Sequence, residues 1–318
     1  MKPNKEGDGQ VIKSIVIYYS QTGNTKKIAR AIHAGMSQAG GQCDIARLKD
    51  VNPQNLTDYD LIGLGSPVIH ARELPNVTYF IHFMKLVDRK HAFAFCTHGA
   101  IPGYYLGRIV PALQQRGLTV IGWKDWFTAA YHPVIPKPYF TDGHPDAIDL
   151  KEAEDFGREM VERSRRISLG ETQLIPTLEK GKEYDERYFP VEESPEEFKK
   201  IVFQTEFKVN TERCLYPQCT HCIDNCPTGA IDFSVSPPIF AKTCDLCWLC
   251  EQTCPRGAIE VDYRALDSFH KPYNVSVLQK SVDTFEAKGL FRRLVPNEQI
   301  GWNKSFWLTK KPRFKIDY

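Results

Sequence analysis

The stretch "VIKSIVIYYSQTGNT", residues 11–25, decides how the first half of the chain folds. Its first eight residues are apolar and largely β-branched, the pattern of a short strand buried on both faces. A polar hexapeptide follows, and a helix then runs to about Met36, with Ile28, Ala29, Ile32 and Met36 on one face. A loop between a strand and a helix leads into unpaired helix N–H groups, which favour an anion. Ser20, Thr22 and Thr25 add hydroxyls, Asn24 an amide, and Gly23 lets the backbone approach closely. The loop is not a Walker loop, since G-x-x-x-x-G-K-[ST] is absent. It is not a dinucleotide fingerprint either, since G-x-G-x-x-G is absent.

Working outward, further strands are predicted at 43–48, 61–65, 93–97 and 119–123. Helices are predicted near 75–86, 103–116 and 145–167. Strands alternating with helices predict a parallel sheet covered on both faces. In such doubly wound sheets a ligand sits at the carboxyl ends of the strands. Two more loops fall there, "GSPVIHARELP" (residues 65–75) and "CTHGAIPGYY" (residues 96–105). Together with "SQTGNT", these loops resemble those of flavodoxin-like domains, and the resemblance implies ligand contacts at Ser66, Pro67, Val68 and Ile69 in the first and at Thr97, His98, Gly99, Gly103 and Tyr104 or Tyr105 in the second. His70 and His98 are candidate proton donors, although a loop histidine is more often simply hydrogen-bonded. Cys43 and Cys96 read as small core residues.

The other eight of ten cysteines lie between Cys214 and Cys254. Shifting "CLYPQCTHCIDNCP" (residues 214–227) by 28 residues lays Cys219, Cys222 and Cys226 on Cys247, Cys250 and Cys254. "CPTGAIDF" then lands on "CPRGAIEV", so the region is an internal duplication. Three thiolates close in sequence can wrap one face of an iron–sulfur cluster, while the cysteine before proline serves the other cluster. The competing reading is a pair of Cys₄ zinc sites. That reading explains neither the third cysteine of each run nor the repeated C-P-x-G-A-I. The first run has four residues, "LYPQ", where the second has two. If that loop bulges outward, Cys214 still reaches its cluster, and Pro217 suits such a turn. The alternative is a cluster with a labile corner.

The cysteine region resembles the bacterial two-cluster [4Fe–4S] ferredoxins. That resemblance implies one cluster on Cys214, Cys219, Cys222 and Cys254, and another on Cys244, Cys247, Cys250 and Cys226. "SQTGNT" resembles the flavodoxin phosphate loop, [ST]-x-T-G-x-T, at every specified position. The likeness implies FMN, with its phosphate on residues 20–25 and its ring between the other two loops. The first ring loop departs from simple flavodoxins in lacking an aromatic. The whole chain resembles the flavodoxin–ferredoxin fusion proteins known as EFR-type ferrodoxins. The expected fold is α/β: a flavodoxin-like doubly wound parallel sheet, a small α+β two-cluster ferredoxin-like domain and a C-terminal extension. Expected boundaries are 11–168 for the first domain, 169–205 for a linker, 206–264 for the second and 265–318 for the extension.

With 318 residues and a net charge of +2, nothing global points to nucleic acid. No apolar run is long enough to span a bilayer, and the first ten residues have no signal-peptide core, so a cytoplasmic protein is expected. From Arg264 onward eleven Lys/Arg face five Asp/Glu. The aromatics Phe291, Trp302, Phe306, Trp307, Phe314 and Tyr318 predict that this tail packs across the other domains. The expected activity is electron transfer between the clusters, FMN and a redox protein partner, either a ferredoxin or a metalloprotein. Reduction of an organic substrate over the ring is the alternative. Oligomeric state stays open.

Overall fold

The computed structural model describes residues 11–178, 205–235 and 238–316. The helix expected within the charged segment before the cysteine region falls outside these residues. The first half is a five-stranded parallel sheet built from β1 (Lys13–Tyr18), β2 (Gln42–Arg47), β3 (Leu61–Pro67), β4 (Lys90–His98) and β5 (Leu118–Phe127), in the order β2-β1-β3-β4-β5. The order reverses at β1/β3, the flavodoxin-like arrangement.

The period-two alternation of side chains sorts the strands' residues into two cores. Ile15, Ile17, Ile62, Leu64, Ala92 and Ala94 face helices α2 (Pro75–Phe83) and α3 (Tyr105–Gln114). Val16, Phe93, Phe95 and Ile121 face α1 (Asn24–Gln38) and α4 (Ala147–Ser168). Two local devices make the second core tight. Gly63 and Gly65 pair with Phe93 and Phe95, and a Cβ at either glycine would stand 2.2 or 2.1 Å from the neighbouring ring. Helices α1 and α4 touch through Gly35 and Gly157, where a Cβ would meet the facing backbone at 1.8 and 2.1 Å.

The second half begins with β6 (Phe207–Val209), which pairs antiparallel with β9 (Ile259–Val261). Between them lie α5 (His221–Asp224), the two-residue ladder of β7 (Ile231–Asp232) and β8 (Ile239–Phe240), and α6 (Leu249–Thr253). The tail is more regular than its sequence shows. It opens with α7 (Arg264–Tyr273), a π turn (Asn274–Gln279) and α8 (Lys280–Ala287). Pro272 lies just before the π turn and donates no N–H, a common cause of such an irregularity.

This tail packs on both other parts. Leu278, Val282, Phe285, Phe291 and Ile300 form a third core with Ala100, Ile135, Tyr139 and Phe140. Tail and sheet-domain backbones are bonded through Phe306 N to Ile135 O, Trp307 N to Pro133 O and Lys137 N to Lys304 O. Val134 joins Leu246, Trp248, Tyr263 and Leu266 in a fourth core that links the sheet domain to the cysteine module. His144, Asp146 and Asp149 gather their ligand atoms within 4.8 Å. Each has a structural job: Asp146 caps α4, His144 bonds Asp149 and Arg292 O, and Arg292 ties the tail to Asp146.

Candidate functional site

At the carboxyl ends of β1, β3, β4 and β5 lies a cavity of about 220 Å³. Thr22, Asn24 and Thr25 line one end, Pro67, Val68 and Ile69 one side, and Thr97, His98 and Gly99 another. Of the loop at residues 20–25, Gln21, Thr22, Asn24 and Thr25 reach the cavity wall. Gly23 caps α1 with φ 89° and ψ −13°, and no side chain caps the helix. Gly23 N donates to Ser20 Oγ at 3.2 Å, the Thr25 and Thr97 hydroxyls share a 2.8 Å bond, and Asn24 Nδ2 donates to Ala129 O at 2.8 Å. The two flanking loops close on each other at Gly103, whose φ is +58° and whose absent Cβ would stand 2.3 Å from Ala71 O.

Several named candidates do other work. Ser20 faces a different groove, beside Tyr18, Tyr19 and Cys226. Ser66 is fully buried and donates to Pro67 O. Tyr105 is fully buried in the core against α2 and α3, and Tyr104 is 39% exposed, so neither lines the cavity. The helical turn begun at Gly103 sends Tyr105 inward. His98 Nε2 donates to Asp125 Oδ2 at 3.0 Å in a buried pair. His70 Nε2 donates to Leu246 O at 3.2 Å, and burial pushes the imidazole down to about 4. Cys96 is core, whereas Cys43 is half-buried.

Sequence reasoning missed the rest of the wall. The loop after β5 contributes Thr128, Ala130 and His132, and the strand-end rule could have found it. The tail contributes His270, Tyr273, Leu278 and Phe314, for which the sequence holds no local signal. Cys247 lines the same cavity.

The duplication is visible in the atoms of the cysteine module. Ala230 N donates to Cys226 Sγ at 3.3 Å and Ala258 N to Cys254 Sγ at 3.2 Å. Gly229 and Gly257 take left-handed φ values of 63° and 59°, and each donates its N–H back to the cysteine carbonyl. The P-x-G turn therefore aims an amide at each sulfur. All eight cysteines are free. Burial pushes Cys222 up to about 12, with Cys254 and Cys214 adding to the rise. Burial does the same to Cys247, with Cys244 and Cys226 as neighbours. Thiols so placed become thiolates when a cationic centre binds them. Among the described residues no three cysteine sulfurs lie within 4.8 Å of one another. Residues 215–218, two more than separate Cys244 from Cys247, form an exposed loop, and Cys219 N donates to Leu215 O across it.

Sheet order, strand-end cavity and helix-capping loop together define a flavodoxin-like α/β domain in the N-terminal half. Residues 15–102 match the family model described as a flavodoxin domain. The flavodoxin of Megasphaera elsdenii is 29% identical over 110 residues, covering 34% of this chain and 80% of that one. An uncharacterized protein of Methanocaldococcus jannaschii is 25% identical over 156 residues, covering 47% of this chain and 99% of its own. An uncharacterized ferredoxin of the same organism is 31% identical over 51 residues, 15% of this chain and 82% of that one. Among solved structures, a flavodoxin from the domain Archaea aligns with a TM-score of 0.39 at 22% identity, covering 48% of this chain and 99% of that one. Among the described residues no helix is long and apolar enough to cross a membrane.

Proposed function

We propose that the chain is an electron-transfer iron–sulfur flavoprotein that binds FMN at the strand ends and two [4Fe–4S] clusters on its eight clustered cysteines. The observation that carries this reading is that Cys247 lines the same cavity as Thr22, Thr25 and Gly99. A carrier of one electron at a time and a carrier of one or two thus share a wall. FMN supplies one- and two-electron chemistry, the clusters one-electron chemistry, and the protein placement and polarity. The uncapped N-terminus of α1, with Thr22 and Thr25, holds the phosphate. Val68, Ile69 and Gly99 offer backbone and apolar surface to the ring. The amides of Ala230 and Ala258 hold charge on Cys226 and Cys254. A redox protein exchanges electrons with the clusters.

Anaerobically reconstituted chain is expected to hold one FMN, about eight irons and as much acid-labile sulfide. Two zinc ions and no sulfide would refute the cluster assignment. Gly23→Val tests the flavin site separately. A β-branched residue at φ 89° costs roughly 1–2 kcal/mol, and its side chain blocks approach to the phosphate, so FMN affinity should fall at least about tenfold. Fluorescence titration reads this directly, and unchanged affinity would put the phosphate elsewhere.

One observation favours a second reading, reduction of a small organic substrate over the ring. His270, Tyr273, Leu278 and Phe314 roof the cavity and make it a pocket, where a carrier needs only an exposed edge. If Phe314→Ala changes reactivity toward small acceptors but not toward a protein acceptor, the roof shapes a substrate pocket.

A further inference from the structure

The duplication makes the two cysteine sets alike in sequence, yet the fold treats them differently. The loop from Cys244 to Cys250 is pressed against the sheet domain. Arg72 Nη2 donates to Asp245 Oδ1 at 3.2 Å, and His70 Nε2 donates to Leu246 O at 3.2 Å. The Trp248 ring stands edge-on to His70 and His132, with centroids 5.2 and 4.8 Å away. Leu246, Trp248 and Leu249 are all buried. Cys226, read as the fourth member of this set, lies in a groove with Tyr18, Tyr19 and Ser20.

Both sides of this junction hold unusual backbone. Leu246 and Trp248 have φ values of 50° and 53°, and the facing His70 and Ala71 have 52° and 60°. Bulky residues adopt this region at a cost, and such strain persists only where surrounding contacts over-determine it. The contacts here are those between the cysteine loop and the cavity loop. In the first cysteine run, by contrast, residues 215–218 and Thr220 are exposed, with Leu215 at 46% and Tyr216 at 43%.

We propose that the set Cys226, Cys244, Cys247 and Cys250 is the flavin-side relay, and that the set Cys214, Cys219, Cys222 and Cys254 is the outer port for the protein partner. This rests on the cofactor assignment above. Tunnelling falls off exponentially with distance, so a set that shares the flavin's cavity wall outcompetes one whose loop faces water. With the cofactors bound, the outer set would take electrons one at a time from a reduced one-electron protein donor, and the inner set would stand between it and the ring. Two electrons from that donor and two protons from water would balance a two-electron reduction. Tyr19 is the positioning residue of the inner set. Its hydroxyl accepts from Gln21 Nε2 at 3.2 Å, Gln21 lines the cavity, and Tyr19 shares a groove with Cys226.

The test is an EPR-monitored redox titration of the full chain, iron-loaded, with and without FMN. FMN should shift the midpoint potential of one cubane only. That cubane should persist in Cys219→Ser and be lost or altered in Cys247→Ser. Tyr19→Phe keeps every ligand and should shift the potential of the same cubane and not of the other, because it changes the polar surroundings of one set alone. An FMN-induced shift borne by the Cys219 set, by both sets equally or by neither overturns the proposal. A preparation holding zinc without sulfide, or no FMN, would instead overturn the cofactor assignment beneath it, and the metal and flavin analyses distinguish the two failures.

Discussion

His270 shows how one buried residue ties this chain's stability to pH. It sits on α7, seven per cent exposed, and Asn274 Nδ2 donates to its Nδ1 at 2.7 Å. His132 stacks on it, with ring centroids 5.2 Å apart. Burial pushes its imidazole down from 6.5 to about 4, the His70 side chain adds to the fall, and Asp267 partly opposes it. His132 is lowered well below its ordinary value, by burial first and then by His270 and His70. A histidine held neutral in the folded state binds fewer protons than the unfolded chain between its two pKa values. Stability therefore rises with pH across that window and falls as pH drops from about 6.5 toward 4. The shift at His270 alone corresponds to roughly 3 kcal/mol once fully expressed. Thermal denaturation against pH should show Tm falling below about pH 6.5. His270→Gln, which keeps a polar group beside Asn274, should flatten that fall, and an unchanged profile would place the acid-sensitive group elsewhere.

At the scale of elements, the end of the tail is fixed by charge inside the protein. Glu251 follows Cys250 in α6 and is one per cent exposed. It accepts from Arg313 Nη1 at 2.6 Å and from the Tyr263 hydroxyl at 2.8 Å, and it pairs with Lys311 Nζ. Removing one partner of a buried pair leaves an uncompensated charge, at a cost of about 3–5 kcal/mol. Glu251→Ala should lose that much in denaturant titration and expose the last residues to protease. Equal stability of variant and parent would mean that apolar contacts alone hold the tail. The sequence shows Glu251 as an ordinary helix glutamate, because its two cations lie some sixty residues further along the chain. The sheet, by contrast, was legible. Val16 and Ile17 alternate between faces locally, and "SQTGNT" follows the strand directly, so the cavity's position follows from strand order. Tyr105 misled because a two-residue aromatic run cannot say which ring a helix start turns inward. The helices α7 and α8 were hidden for a similar reason. Pro272 and the π turn interrupt their period, and the apolar face is completed by Tyr139 and Phe140 from the other half of the molecule.

Across the whole molecule, the two halves are joined through the site itself. Trp248 and Leu246 share a core with Val134, and His70 is held by Leu246 O. The loop that carries Cys244 and Cys247 is thus also a wall of the proposed flavin cavity. If this loop holds a cluster, the cluster would order that wall, and FMN would bind iron-loaded chain at a lower cost in conformational entropy than iron-free chain. Coupling between two such sites is typically worth 1–3 kcal/mol and is reciprocal. FMN should therefore bind about tenfold more weakly after anaerobic removal of iron by a chelator. Bound FMN should in turn strengthen iron retention at equilibrium by the same factor. Fluorescence titration of the loaded and stripped chains gives the first number, and equilibrium competition with a chelator, with and without FMN, gives the second. Exposed as it is, the loop at residues 215–218 makes no contribution to the cavity wall. Cys214→Ser should accordingly leave FMN affinity unchanged, while Cys247→Ser should weaken it toward the value of the stripped chain. If both substitutions weaken FMN equally, the coupling runs through the fold of the cysteine module as a whole and not through the loop that touches His70.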